Sequence, residues 1–315
     1  LFEGGVVRAE FAAQLTKSGF SRIAVGDWVC LRIVPEHEVA QAVGIVLREN
    51  DIARWRGGSR GERQTLAANV DLVLVVQPLG GGDGGAGLAR IARSALVAAD
   101  CHARIAVVLT KADRLDVEGT VRAVAGVREL LGDGVPVVVT SAADVARECE
   151  SRGEAVRALG ASWGLDGVRE LVPKGTVSIV LGESGAGKST VLNRILGYDV
   201  LKTGAVRGRD GAGRHTTVAR RMVRLPGGGV IVDEPGLRSL PLVGHERGLA
   251  ALFPEVARVA QECRFRDCTH THEPGCAVRR ALFDKTCERA RVDAWVALAA
   301  EMRTGASSLD PDVVL

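Results

Sequence analysis

The stretch Gly182-Glu183-Ser184-Gly185-Ala186-Gly187-Lys188-Ser189-Thr190 decides how the rest of the chain is read. It follows the apolar run Val177 to Leu181 and precedes a helix-like run, Val191 to Leu196, the strand–loop–helix context that a phosphate-binding loop requires. Glycines let the backbone curl so that successive N–H groups point inward, while Lys188 and the helix N-terminus add positive charge for phosphate oxygens. All nine residues are therefore candidate nucleotide contacts, with Lys188 also a catalytic candidate and Ser189 a magnesium ligand. The plain alternative is a glycine-rich turn that only joins strand to helix.

Upstream, from Val70, fully apolar strands alternate with helical stretches, the pattern of a parallel sheet covered on both faces. Val70 to Val76 reads as the first buried strand, Gly80 to Gly85 as a flexible loop, and Leu88 to Ala99 as a helix. The next strand, Arg104 to Leu109, runs into Thr110-Lys111-Ala112-Asp113, at the carboxyl end where open α/β sheets collect ligands. A carboxylate only accepts hydrogen bonds, and the Watson–Crick edge of guanine presents two adjacent donors where adenine presents an acceptor and an amine. Asp113 therefore selects guanine and Lys111 lies along base and ribose, although a helix N-cap would be the plainer role for Asp113 alone. A helix over Val117 to Leu131 leads to the strand Val135 to Val139, ending in Thr140-Ser141-Ala142. Small residues there let backbone N–H groups approach the guanine carbonyl oxygen. Residues 144 to 171 read as helical.

Downstream, Gly204 to Thr217 lacks hydrophobic periodicity and should order only around a ligand. Within Gly213-Arg214-His215-Thr216-Thr217 a threonine hydroxyl completes the magnesium shell and senses the terminal phosphate, Thr217 by preference, which makes it a catalytic candidate too, and Thr216 as the alternative. Arg220 to Leu225 and Val230 to Val232 read as strands, the second ending in Asp233-Glu234-Pro235-Gly236. Asp233 can hold magnesium through water, and the Gly236 N–H can contact the terminal phosphate. Lys202, Arg207, Arg209, Arg214, Arg220, Arg221 and Arg224 face only Asp210, a basic patch for nucleic acid or simply a solvated face.

The totals bound these readings. With 315 residues, 46% hydrophobic and 25% charged, the chain can form two or three units, each with its own core. A net charge of +3 makes it no polycation. Its apolar runs are too short to cross a bilayer and no signal segment opens it, so the expected location is the cytoplasm, with no membrane partner. Leu1 in place of Met suggests a missing or processed N-terminus.

Residues 1–66 read as a small all-β barrel, with Val29, Leu31 and Ile33 on one face and Val43, Ile45 and Leu47 on another. Trp28, Arg32, Arg54, Trp55 and Arg56 offer stacking and phosphate contacts there, or the tryptophans simply pack. Residues 67–242 then form the nucleotide domain and 243–315 a third, helical unit. In it Cys263, Cys268, His270 and Cys276, spaced C-x4-C-x-H-x5-C, suit tetrahedral zinc of the closed, structural kind. His272 is the alternative histidine, Cys287 falls on a helix, and Ala277 to Met302 is amphipathic, with Leu282, Trp295 and Leu298 facing inward.

Together, Thr110-Lys111-Ala112-Asp113, Thr140-Ser141-Ala142, the phosphate loop, Arg214-His215-Thr216-Thr217 and Asp233-Glu234-Pro235-Gly236 are the five signature elements of a GTPase in rotated order. With the N-terminal barrel, including Val25-Gly26-Asp27, and the cysteine–histidine unit, the chain resembles the bacterial ribosome small-subunit-dependent GTPase A family. The resemblance implies an OB-like β-barrel, a circularly permuted P-loop GTPase domain with a mainly parallel α/β sheet, and a zinc-binding helical domain. It implies GTP/GDP, Mg2+ and Zn2+ as ligands. It also implies action in late maturation of the small ribosomal subunit, with that subunit, its rRNA and other assembly factors as partners; a monomer is the expected state.

Thr110 stands where many GTPases have Asn, and Glu234 where a small residue is common. Leu237 follows Gly236 where many GTPases place a water-orienting glutamine. An alkyl group cannot do that work, so His215 is the catalytic candidate once a partner orders its segment. Because Asp233 to Gly236 now leads straight into the third unit, nucleotide state is expected to set that unit's orientation. A passive RNA-binding scaffold is disfavoured by the intact Lys188, Ser189, Asp113 and Asp233, and a P-loop ATPase or kinase by Asp113.

Overall fold

The computed structural model describes residues 7–12, 23–35, 38–55, 63–80, 84–141, 146–198, 221–233 and 242–307. The N-terminal region is built of β1 (Ala9–Phe11), β2 (Val29–Arg32), β3 (Ala40–Ile45), β4 (Asp51–Trp55) and β5 (Arg63–Ala68). These pair as a three-stranded sheet, β1-β3-β2, and a two-stranded one, β4-β5. A bulge between Cys30 and Leu31 shifts the β2–β3 register. The inward face is therefore carried by the small Ala40 and Ala42, while Ile33 and Leu47 are exposed, Leu47 by 93%. Val29 and Leu31 keep the expected alternation with the exposed Cys30 and Arg32, whereas the expected inner face of Val43, Ile45 and Leu47 is corrected. Asp27, whose side chain is fully buried, accepts a two-pronged bond from Arg48, Nε to Oδ1 at 2.6 Å and Nη2 to Oδ2 at 2.8 Å. Arg48 continues to Thr65, and Thr65 to Asp51, so Val25-Gly26-Asp27 fastens the two small sheets together.

A seven-stranded sheet follows, in the order β11-β12-β10-β6-β7-β8-β9. Its strands are β6 (Leu72–Pro78), β7 (Arg104–Thr110), β8 (Val137–Val139), β9 (Ser162–Trp163), β10 (Val177–Leu181), β11 (Arg221–Arg224) and β12 (Val230–Asp233). All neighbours are parallel except the β11–β12 pair. The helices are α1 (Gly84–Asp100), α2 (Val117–Leu131), α3 (Ala146–Ala158), α4 (Leu165–Leu171), α5 (Lys188–Leu196), α6 (Glu246–Leu252), α7 (Pro254–Ala260), α8 (Ala277–Phe283) and α9 (Arg289–Ser307). Helix α2 matches its expected span, opened by Asp116, whose side chain accepts from the Gly119 N–H. Helix α1 begins earlier than expected and takes in Gly84 and Gly85. The two-residue β9 divides what reads as one helix over 144–171. The C-terminal helical stretch is broken between α8 and α9, with Cys287 buried in the break.

Alternation along the central strands feeds two cores. Leu72, Leu74, Val76, Ala106, Val108 and Val180 pack with Val168, Val191 and Ile195 on one face of the sheet. Val73, Val75, Val107, Leu109, Ile179 and Val232 pack with α1 and α2 on the other. This second core also contains Ile52 and Leu66 from the N-terminal strands, and Leu242, Leu249, Phe253, Val292 and Leu298 from the C-terminal helices. The three regions therefore share one interior instead of each enclosing its own.

Helix α6 comes close against α1 at Gly248, where a Cβ would stand 2.6 Å from Asp100 Cβ and 2.8 Å from the Leu96 carbonyl oxygen. Asp100 accepts from the Gly248 N–H at 3.1 Å and pairs with His245 Nδ1 at 2.8 Å. Arg291 donates to the Leu130 carbonyl on α2 at 2.7 Å and to Glu255 through Nε and Nη2, with its guanidinium 5.0 Å from the Phe253 ring centre. Swinging the C-terminal helices as a free body would strip this core.

Candidate active site

Parallel strands end on one side, and register decides which loops meet there. Thr110 lies opposite Pro78, Val139 opposite Leu109, Leu181 opposite Val75, and Val232 opposite Ile179. The edge thus gathers the ends of β7, β8, β10 and β12, with Asp233 closing the last. Rotated order in sequence becomes adjacency in space.

The loop after β10 approaches β6 so closely that a Cβ on Gly182 would stand 2.3 Å from the Val76 carbonyl oxygen, and Gly182 has φ of 153°. Gly187 caps α5. Lys188 Nζ reaches back over the loop to the carbonyls of Gly182 at 2.5 Å and Glu183 at 2.6 Å. Ser189 and Thr190 sit half-buried in the first turn of the helix. Glu183 is held outward by Arg90 of α1 at 2.7 Å, while Ser184 and Gly185 are exposed and Ala186 is buried. A curled backbone, an ammonium folded over its mouth and a hydroxyl at a helix N-terminus fit a nucleotide polyphosphate with its divalent cation.

The base loop is tied directly to this phosphate loop. Thr110 Oγ1 donates to the Ala186 carbonyl at 2.6 Å, and Lys111 Nζ to the Gly185 carbonyl at 2.5 Å. Lys111 adopts a left-handed backbone, φ 58°, which turns the chain into the short 3-10 turn Ala112–Arg114. Burial and then the neighbouring Arg114 hold its pKa below the usual lysine range. Buried Ala112 bonds through its N–H to the Thr140 carbonyl at 3.1 Å, which sets the Asp113 turn against the end of β8. Ser141 Oγ then donates to Asp113 Oδ1 at 2.8 Å. Asp113 is exposed and is no N-cap, since the cap of α2 is Asp116. A pocket of roughly 60 Å³ opens between Thr110, Lys111 and Ser141 on one side and Leu165, Thr190 and Arg194 on the other. Leu165 and Arg194 escape the sequence reading because they belong to no signature element. The signal was the helical period, which puts Arg194 one turn after Thr190.

Ala142, His215, Thr216, Thr217 and Gly236 lie outside the described residues, as do Lys202 to Arg220 of the basic patch; Arg224 is exposed on β11.

At the C-terminal cluster the ligand atoms of Cys263, Cys268, His270 and Cys276 all lie within 4.8 Å of one another, which selects His270 over His272. Cys263 and Cys276 sulfurs are 4.0 Å apart and each is 3.6 Å from His270 Nδ1. A tetrahedral zinc with two thiolates and an imidazole would ask for edges of about 3.8 and about 3.6 Å. The set fits the ion. Cys276 caps α8, its sulfur accepting from the Arg279 N–H at 3.4 Å. Burial lowers the His270 pKa, favouring the neutral ring that ligates. Burial pushes the Cys268 thiol up to about 12, so a metal entering here would displace that proton. Glu273 braces the ligand loop, accepting from the Thr269, Thr271 and His272 N–H groups.

A family model described as RsgA GTPase matches residues 45–243, well over half of the chain. The chain belongs to the RsgA GTPase family. It is accordingly a GTP-hydrolysing enzyme, and GTP, GDP and Mg2+ are the ligands the family implies for the loops above. A relative from Opitutus terrae, named small ribosomal subunit biogenesis GTPase RsgA, is 42% identical over 299 residues, covering 91% of this chain and 75% of its own. One of the same name from Streptomyces avermitilis is 38% identical, with 95% and 74% covered. Among solved structures, YjeQ from Thermotoga maritima superposes with a TM-score of 0.63 at 23% identity, over 94% of this chain and 89% of that one. YloQ, described as a circularly permuted GTPase, gives 0.61 at 19% identity, over 95% and 87%. These two likenesses bear on the RsgA fold, and the rotated strand order is part of it. No helix among the described residues is long and apolar enough to cross a membrane.

Proposed function

We propose that this GTPase binds the small ribosomal subunit and its rRNA, hydrolyses GTP when that subunit stimulates it, and acts in late small-subunit assembly. The observation that carries the enzymatic half is the pair of hydrogen bonds from Thr110 and Lys111 to the carbonyls of Ala186 and Gly185, which makes one site of the base loop and the phosphate loop. The biological half rests on the relatives named for small ribosomal subunit biogenesis.

In this reading Asp113, aimed by Ser141, accepts from the two donors of guanine, and N–H groups around Ala142 serve its carbonyl oxygen. Lys188 leaves the Gly182 and Glu183 carbonyls for the β- and γ-phosphates, and the N–H groups of residues 182–190 surround them. Ser189 and Thr217 would hold Mg2+ directly and Asp233 through water, supplying charge neutralisation when the ion is bound. The Gly236 N–H senses the terminal phosphate. Leu237 cannot orient water, so His215 does, when the subunit is bound. The cysteine–histidine set holds a structural zinc, four ligands leaving no open position. Residues 1–66, 67–242 and 243–315 are the three functional regions of a cytoplasmic monomer, with other assembly factors as further partners.

The test is multiple-turnover hydrolysis of GTP and ATP, with and without small subunits. Slow GTP hydrolysis that rises at least about a hundredfold with subunits, and none with ATP, is expected. The His215→Ala protein should lose the stimulated part while binding GTP normally. Full stimulated activity in that variant would remove the His215 assignment, and stimulation by neither nucleotide would remove the subunit-dependent reading.

A further inference from the structure

We propose that Arg194 reads N7 of the bound guanine, and with it O6, completing base recognition from the edge opposite Asp113. The inference rests on the guanine-nucleotide reading above and goes beyond its signature residues. Guanine has two readable edges: the ring N–H and exocyclic amine, both donors, and O6 with N7, both acceptors. Asp113 serves the first. The second needs donors, and three polar side chains of the base loops each already direct a hydrogen elsewhere. The single hydroxyl hydrogen of Thr110 goes to the Ala186 carbonyl at 2.6 Å, so Thr110 can offer the base only lone pairs. Ser141 gives its hydrogen to Asp113 at 2.8 Å, and the Lys111 ammonium is drawn to the Gly185 carbonyl at 2.5 Å.

Arg194 lines the same pocket as Thr110, Lys111 and Ser141. It sits on α5 one turn beyond Thr190, which also lines the pocket, so both face the base from one side of the helix. Leu165 supplies an apolar surface in the same pocket, where the face of a purine rests without desolvating anything polar. A guanidinium carries five N–H groups in a planar fork, enough to keep a contact within the protein and still present a pair to N7 and O6. Adenine offers an amine beside its N7, so the same fork also rejects adenine. Arg194 thus supplies the donor that Thr110, bound to the phosphate loop, cannot.

Calorimetric binding of GDP, 7-deaza-GDP and ADP to the full chain and to Arg194→Ala tests this, because 7-deaza-GDP replaces only the N7 acceptor by C–H. The wild type should bind 7-deaza-GDP about tenfold more weakly than GDP, the size expected for one base-edge contact. Arg194→Ala should bind GDP about tenfold more weakly and distinguish the two ligands by less than about twofold. A GDP to 7-deaza-GDP ratio that is unchanged by the substitution, or absent in the wild type, overturns the assignment. The ADP arm separates the two levels. Equal affinity of the wild type for ADP and GDP would sink guanine selection altogether, and Arg194 with it. A preserved preference for GDP over ADP with an unchanged 7-deaza ratio would sink Arg194 alone.

Discussion

The contact between the base and phosphate loops and the contact between α1 and the C-terminal helices both join segments far apart in sequence, by opposite means. The first is two side-chain hydrogen bonds at the open edge of the sheet, from Thr110 and Lys111 to the backbone of residues 185 and 186. The second is apolar and close-packed, with Leu242, Leu249 and Phe253 buried against α1 and α2 and with Gly248 set on the backbone of α1. The Lys188 bonds to the Gly182 and Glu183 carbonyls beside them are open to exchange with a phosphate's oxygens, whereas a shared core does not come apart without loss of apolar burial. The site is therefore built to rearrange and the junction to stay. Lesions at one should change chemistry without stability, and lesions at the other the reverse.

The sharpest contrast is expected for Lys188→Ala, which removes the ammonium from the phosphate loop. Stimulated GTP hydrolysis should fall by about a hundredfold or more, with the urea midpoint of unfolding unchanged. A stability loss of the same protein would break the division.

Gly248→Val should do the converse. A branched side chain forced against Leu96 and Asp100 should cost about 3 kcal/mol in urea unfolding while the rate per folded molecule stays within about twofold. A variant as stable as the parent would show that α6 can lift from α1.

The smallest effect is set by pH. Burial alone would raise the Asp100 pKa, but the His245 hydrogen bond and charge, with the Gly248 N–H, together lower it. Burial likewise opposes and Arg291 outweighs at Glu255. Both carboxylates thus contribute stability that is present above their unfolded values near pH 4 and lost as pH falls through the lower folded values. Unfolding free energy should decline as pH falls from 5 to 3, and Glu255→Gln should flatten part of that decline. A profile unaffected by Glu255→Gln would place the acid sensitivity elsewhere.

Much of this was legible from residues because parallel strands buried on both faces read as plain apolar runs. All but the first two residues of the expected strand Val70 to Val76, and the whole of Arg104 to Leu109 and Val177 to Leu181, lie within observed strands. Where the reading fell short, a tertiary contact overrode the local signal. Gln77 and Pro78 extend β6 because β7 pairs with them, not because they are apolar. Two residues sufficed for β9, too few to carry a period. In β3 the unpaired Val43 shifts the register and hands the inner face to alanines that no hydropathy pattern favours. At the site the loops announced themselves through glycines and a lysine. Arg194 did not, since one arginine on a helix is unremarkable until the fold sets it beside Thr110. Gly248 is silent in the same way until α1 is seen beneath it.

The proposed reading of guanine through Asp113, in one site built from loops separated by about seventy residues, is tested most directly by exchanging that carboxylate for an amide. An asparagine presents one donor and one acceptor, matching the ring N–H and C2 carbonyl of xanthine where the aspartate matched the two donors of guanine. Asp113→Asn should bind XDP at least about tenfold more tightly than GDP, reversing the wild-type order. An Asp113→Asn protein that still prefers GDP would contradict the account.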